Sequence, residues 1–171
     1  MVDNVPMQFE IRPATTADIG NIRELCQPLV DQRVLLGKEM VELYESVQEF
    51  LVCYQGEKLI GCGALHVMWE DLAEVRTLVV SPEFSGQGVG SSILSELIQR
   101  AESLGVDRVF CLTFEVEFFA KHKFEVITDT PIEPDVYAEM VRSHDEGVAE
   151  FLDLARVKQN TLGNTRMLRV L

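Results

Sequence analysis

From Leu72 to Val80 the chain reads LAEVRTLVV, a β-rich apolar run that stops at Pro82. It is followed by Ser85 to Gly90 (SGQGVG), with glycines at alternate positions, a pattern that predicts strand, loop and helix N-terminus. Behind the loop, Val89, Ile93, Leu94, Leu97, Ile98, Ala101 and Leu104 share one helical face, and Gly105 stands where a C-terminal cap belongs. Upstream, Phe9 to Arg12 reads as a first strand. Thr15 with Asp18 forms a capping box ahead of Ile19, Ile22, Leu25, Cys26 and Leu29, and Val41, Tyr44 and Val47 share a face of a second helix. Phe50 to Tyr54, a turn at Gln55 and Gly56, and Leu59 to His66 predict a hairpin. The loop Trp69 to Asp71 then returns the chain into Leu72 to Val80, completing an antiparallel meander. Arg108 to Phe114 comes one helix later, and a β-helix-β step of that length makes its strand parallel to the one before the loop. Past Phe124 to Ile127 and the connection TDTPIEP, a helix is expected near Asp135 to Arg142, and the strand-like RMLRVL closes the chain.

The glycine loop is the stretch with chemistry in it. Glycines let a backbone approach a pyrophosphate, and the unpaired amides of a first helical turn bind it together with the positive end of the helix dipole. Nothing basic follows Gly90, so this is not a nucleoside-triphosphate P-loop; the GxGxG spacing and the antiparallel strands before it also fail the dinucleotide fingerprint. A net charge of −13 opposes non-specific nucleic-acid or membrane binding, so local donors must hold an anionic ligand. The opening residues MVDNVPMQFE carry no basic leader and no run reaches membrane-spanning length, so a soluble cytoplasmic protein is expected. The 171 residues are expected to form one domain, 1–171. Cys26, Cys53, Cys62 and Cys111 are scattered through apolar segments and read as reduced core residues, and His66, His122 and His144 show no metal-ligand spacing.

A strand bearing a carboxylate, followed by (Q/R)xxGx(G/A), resembles the acyl-CoA loop of the GCN5-related N-acetyltransferases. The resemblance runs from Phe9 to about Ile127, starting at IRPAT (Ile11 to Thr15) and including FFAKHKF (Phe118 to Phe124). Within that superfamily the chain is most similar to the acetyltransferase domain of N-acetylglutamate synthases, in the short actinobacterial form without an amino-acid kinase domain. GALHVMWEDLAEVRT (Gly63 to Thr77), LTFEVEFFAKHKF (Leu112 to Phe124) and GVAEFLDLARVKQNTLGNTRML (Gly147 to Leu168) carry this closer likeness.

The resemblance implies an α/β (α+β) fold with a central mixed, mostly antiparallel sheet and helices on both faces. It further implies direct acetyl transfer from acetyl-CoA, in a ternary complex, to the α-amine of glutamate, the entry step of arginine synthesis. Glutamine or another amino acid stays open as acceptor. So do an acetyltransferase for a different amine or a protein N-terminus, and a non-catalytic acyl-CoA sensor. Glu74 would act as base through water. The strand edge of Leu78, Val79 and Val80 would bond the pantetheine amides, and an N–H there would polarise the carbonyl. Ser85, Gly86, Gln87, Gly88, Val89 and Gly90 would hold the pyrophosphate, with Ser85 standing where the family has Gln or Arg. Phe119 stands where many relatives carry a proton-donating tyrosine, and Lys123 replaces a glycine. A dicarboxylate needs fixed cations; Lys38, Arg76 and Arg166 fall at the implied positions, with Asn164 and Thr165 adjacent and Arg12 a weaker candidate. Each could instead be a surface charge worth little, and Glu74 a solvated edge charge or the ion-pair partner of Arg76. No metal is implied, and paired strand edges make a homodimer an expectation.

Overall fold

Four antiparallel strands lead the sheet: β1 (Glu10–Pro13), β2 (Phe50–Gln55), β3 (Lys58–Trp69) and β4 (Leu72–Val80). β5 (Arg108–Thr113) lies parallel to β4, and β7 (Thr165–Val170) runs antiparallel between β5 and the two-residue β6 (Glu125–Val126). The helices are α1 (Ile19–Asp31), α2 (Met40–Glu45), α3 (Val89–Ser103), α4 (Val116–Lys121), α5 (Pro134–Met140) and α6 (Glu146–Phe151). This computed structural model describes residues 8–154 and 163–171. The sheet is mixed and mostly antiparallel with helices on both faces, as expected.

Side-chain alternation along the strands sends Leu51, Cys53, Ala73 and Val75 to one face, where Ile93, Leu94, Leu97 and Ile98 of α3 close over them with Phe119 and Phe124. Each fully buried Leu or Ile contributes about 1.5–3 kcal/mol, so packing rather than propensity anchors α3. The opposite face carries two separate apolar patches. One sets Phe50, Val52, Cys62, Ala64 and Val79 under Ile19, Ile22 and Cys26 of α1. The other sets Leu72 and Phe110 under Met140, Val148, Phe151 and Leu152.

A bulge in β4 sets which way the second half of that strand faces. Cys62 opposes Val79 but Ala64 opposes Arg76, so β4 carries one extra residue there, and Thr77 sits at φ 54°, a costly conformation for a β-branched side chain. The extra residue resets the alternation: Ala73 and Val75, then Leu78 and Val80, pack on the α3 face. β4 pairs with β5 only from Leu72 to Glu74, opposite Arg108 to Phe110.

Several local expectations change. On α2 it is Leu43 that is buried, while Val41 and Tyr44 are exposed and Val47 falls in the 3-10 turn beyond, because α2 is too short for the full periodic face. Leu104 caps α3 rather than packing and is exposed; Gly105 turns the chain at φ 81° as expected. Helix α6 was not anticipated, although Asp145 ahead of Val148, Phe151 and Leu152 has the form of an N-cap and an apolar face. All four cysteines are free and buried, and burial pushes the Cys53 thiol up to about 11.

Arg12 donates two bonds to Asp18, at 2.8 and 2.9 Å, and the same carboxylate accepts from the Thr15 amide and the Tyr54 hydroxyl. The Arg12 bonds lead, and with the others they hold the Asp18 carboxyl well below the usual carboxylate range against the opposing effect of burial. A depressed carboxylate pKa stabilises above its unfolded value and loses that contribution as pH falls through the folded one. Asp18→Asn is therefore expected to cost about 2 kcal/mol at pH 7. The difference from wild type should shrink from about pH 5 downward, as read from urea midpoints.

Candidate active site

Beyond Glu74, the β5-facing edge of β4 has no strand partner among the described residues, and Leu78, Val79 and Val80 lie along it. The gap opens toward the glycine loop. Gly88 is the N-cap of α3 at φ 86° and Gly86 stands at φ 73°; a Cβ built on either meets nothing within 4 Å. Conformation, not crowding, demands glycine here. The loop backbone thus faces open space at the N-terminus of a 15-residue helix whose first amides have no helical acceptor. That geometry fits a diphosphate held by Gln87, Gly88, Val89 and Gly90 amides. Ser85 is exposed, and the Gln87 side chain turns back onto the Glu83 carbonyl at 3.0 Å, so the main chain would do the holding.

On the opposite face from α3, a charged cluster fills the seam between the two apolar patches. Glu74 is 6% exposed. Its Oε2 accepts from Arg76 Nε at 3.0 Å and Nη2 at 2.5 Å. The other side of the guanidinium binds Asp145 through Nη1 at 2.9 Å and Nη2 at 2.8 Å. Burial disfavours the Arg76 charge, but the pull of Glu74 and Asp145 outweighs it and holds the guanidinium above its ordinary value. Burial likewise opposes ionisation of Asp145; the Arg76 bonds and charge, with the Val148 amide at 2.9 Å, nonetheless keep it below the carboxylate range. His66, opposite Glu74 in the β3–β4 register, lies 2.7 Å from Glu49 through Nδ1 and 3.6 Å from Asp145 through Nε2. Gly147, in the first turn of α6, sits so close that an added Cβ would fall 2.0 Å from Glu74 Oε2 and 2.5 Å from Arg76 Nη2.

On this same face, the bulge aims Thr77 into a cavity of about 250 Å³ beneath α1 and the loop to α2. Arg23 and Lys38 line it, together with Cys26, Gln27, Glu39 and Leu43. Among the described residues neither cation has a carboxylate within ion-pair distance. Lys38 stands out in the sequence through the resemblance. Arg23 does not, because it lies on the polar side of α1 where one charge looks like any other.

The remaining expected contacts lie elsewhere. Arg166 Nε and Nη1 donate to the carbonyls of Glu150 and Asp129 at 3.2 and 3.1 Å, Nη2 donates to that of Phe151, and its guanidinium stacks 6.0 Å from the Phe110 ring. It ties β7 to the end of α6. Thr165 pairs with Thr113 at the open end of the β4–β5 gap, and Asn164 Oδ1 beside it is buried without a partner among the described residues. Phe119 packs edge-on against Phe118 and Phe124 at 5.2 and 5.1 Å and offers no proton. Sequence reasoning missed Asp145, Gly147, His66 and Glu49. The subfamily segment Gly63 to Thr77, which contains His66, and the one that starts at Gly147 marked the region but not its pairing.

Among the described residues, no helix is long and apolar enough to cross a membrane, and no group of three or more His, Cys, Asp or Glu is placed to hold a metal.

The sequence profile of the acetyltransferase (GNAT) family matches residues 19–124. An amino-acid acetyltransferase of Mycobacterium tuberculosis is 51% identical over 164 residues, 94% of each chain. An amino-acid acetyltransferase of Neisseria meningitidis is 33% identical over 121 residues, 70% of this chain but only 28% of its own length. Among solved structures, Rv2747 from Mycobacterium tuberculosis in complex with CoA and NLQ matches with a TM-score of 0.88 at 50% identity, over 95% of this chain and 99% of that one. N-acetylglutamate synthase from Neisseria gonorrhoeae, complexed with coenzyme A and N-acetyl-glutamate, matches with a TM-score of 0.78 at 25% identity, over 96% of this chain and 35% of that one.

Proposed function

The chain belongs to the acetyltransferase (GNAT) family, and from that premise we propose that it moves the acetyl group of acetyl-CoA onto the α-amine of L-glutamate, with L-glutamine as the competing acceptor. It is an amino-acid acetyltransferase, and acetyl-CoA is its co-substrate. On this proposal the product is N-acetylglutamate and the step opens arginine synthesis.

The observation that carries the proposal is the cavity of about 250 Å³ holding Arg23 and Lys38 next to Thr77, on the same face as Glu74. It falls below the ~300–1,000 Å³ of drug-sized pockets, which favours a single amino acid over an extended peptide. In a chain of net charge −13 an anionic acceptor is repelled at long range, so two local cations are the feature such a substrate requires. Arg76 and Arg166 already bind internal partners, so Lys38 and Arg23 take the carboxylate contacts in this account.

Acetyl-CoA would lie along the open edge of Leu78, Val79 and Val80, with its diphosphate on the glycine-loop amides. Glu74, through water, takes a proton from the α-ammonium, and the free amine attacks the thioester carbon. An edge amide steadies the oxyanion; the C–N bond forms, the C–S bond breaks and CoA leaves as thiolate. With a free-thiol pKa of about 8–9, the thiolate takes its proton from the ammonium of the collapsing intermediate or from water, since Phe119 cannot supply one.

Thiol release across an amino-acid panel at saturating acetyl-CoA tests the proposal, and silence with both glutamate and glutamine would sink it. Lys38→Ala is expected to raise the acceptor KM about 10- to 100-fold, the loss of a charged contact. The acetyl-CoA KM should stay within about twofold.

A further inference from the structure

The Arg76 guanidinium is divided between two carboxylates. Asp145 occupies the Nη1–Nη2 side with both its oxygens, whereas Glu74 receives only through Oε2. Among the described residues Glu74 Oε1 accepts no hydrogen bond. Nor is it one of the buried atoms left without a partner, which are Asn164 Oδ1 and Arg169 Nε, so it keeps contact with solvent. An arginine free of a second partner prefers to grip one carboxylate by both oxygens. We propose that Asp145 is a positioning residue for Glu74: by claiming one side of the Arg76 guanidinium it confines that group to Oε2 and leaves Oε1 to take the proton from the acceptor amine.

The proposal rests on Glu74 acting as the base. Asp145 suits the part because its own position is set twice, as the N-cap of α6 and by the close seat of Gly147 against Glu74. The groups facing Glu74 are Arg76 on its own strand, His66 on β3 and Asp145 from α6, while Cys111 on β5 feels its charge from the α3 face of the sheet. Glu49 stands on the far side of His66. Removing the Asp145 charge leaves Arg76 with Glu74 as its one anionic partner among the described residues, and the freed fork closes on both oxygens.

Asp145→Asn and Asp145→Ser both keep an oxygen that can cap α6. In either variant, the acid limb of the kcat/KM profile for the acceptor is expected to move down by about one pH unit. kcat at the plateau should fall about tenfold, with the acetyl-CoA KM within about twofold of wild type. A purely structural role would lower the unfolding temperature and leave the limb in place. An unmoved limb in whichever variant folds overturns the proposal; failure of both to fold assigns Asp145 to helix capping alone and overturns it too. Glu74→Gln separates the two levels: if it abolishes turnover while the Asp145 limb stays fixed, the positioning role fails and the base survives. If it leaves kcat intact, the base assignment itself is wrong.

Discussion

Glu74→Gln is expected to lower kcat by about 10²- to 10⁴-fold at neutral pH, the usual contribution of a positioned base. The substitution is nearly isosteric, and the amide oxygen can still accept from Arg76 in place of Oε2. What it loses is the ability to take a proton from an α-ammonium that is mostly charged at pH 7. The acetyl-CoA KM should hardly change, because the glycine loop and the open edge of β4 lie on the other side of the bulge. Steady-state kinetics with glutamate, repeated across pH, checks it: the acid limb should vanish with the base. A variant with wild-type kcat would instead favour another base, with the Glu74–Arg76 pair purely structural.

Gly147→Ala should be nearly as damaging. The added Cβ would lie 2.0 Å from Glu74 Oε2, 2.5 Å from Arg76 Nη2 and 2.8 Å from Glu74 Cδ. These are side-chain ends, which elsewhere would swing aside. Here Arg76 is fixed by Asp145, and both partners are nearly enclosed, with side-chain exposures of 11% and 8%. Either the pair separates or α6 lifts from the sheet and takes Val148 and Phe151 with it. Overpacking costs about 1–3 kcal/mol, and breaking a buried pair more. A loss of about 3 kcal/mol corresponds to a drop in Tm on the order of 6–12 °C. kcat should fall at least tenfold as Glu74 is displaced. Gly20→Ala in α1 is the control: its Cβ meets nothing within 4 Å, and the change should be neutral or slightly stabilising. Equal melting of the Gly147→Ala variant and wild type would mean that α6 does not seat on Glu74 as described.

Much of the fold was legible before any coordinates. The meander, the parallel step to β5 and the buried face of α3 come from periods of two and 3.6 that each element obeys by itself. The glycine loop was legible for the same reason, since a positive φ at Gly86 and Gly88 is a local demand. Glu74 and Lys38 could be named because the resemblance marks their positions. Arg76 and Arg166 could be named too, and so could Glu74 as an ion-pair partner of Arg76, but not the distant partners: Asp145 is 69 residues from Arg76, and the carbonyls that Arg166 binds belong to a helix and a loop distant in sequence. The bulge at Thr77 left no mark either, because a β-branched residue is a poor choice for φ 54° and only the pairing of β3 with β4 imposes it.

The chain alone determined which segments become strands and helices, where the backbone can bend around a diphosphate, and that an anionic ligand would need its own cations. Those outcomes depend on neighbours a few residues apart. Tertiary structure alone decided that one arginine serves two carboxylates, that a glycine from α6 rests on Glu74, and that Arg23 joins Lys38 in one cavity. Burial makes the first two of these contacts strong, and which groups are buried together is settled only when the two apolar patches close on either side of them.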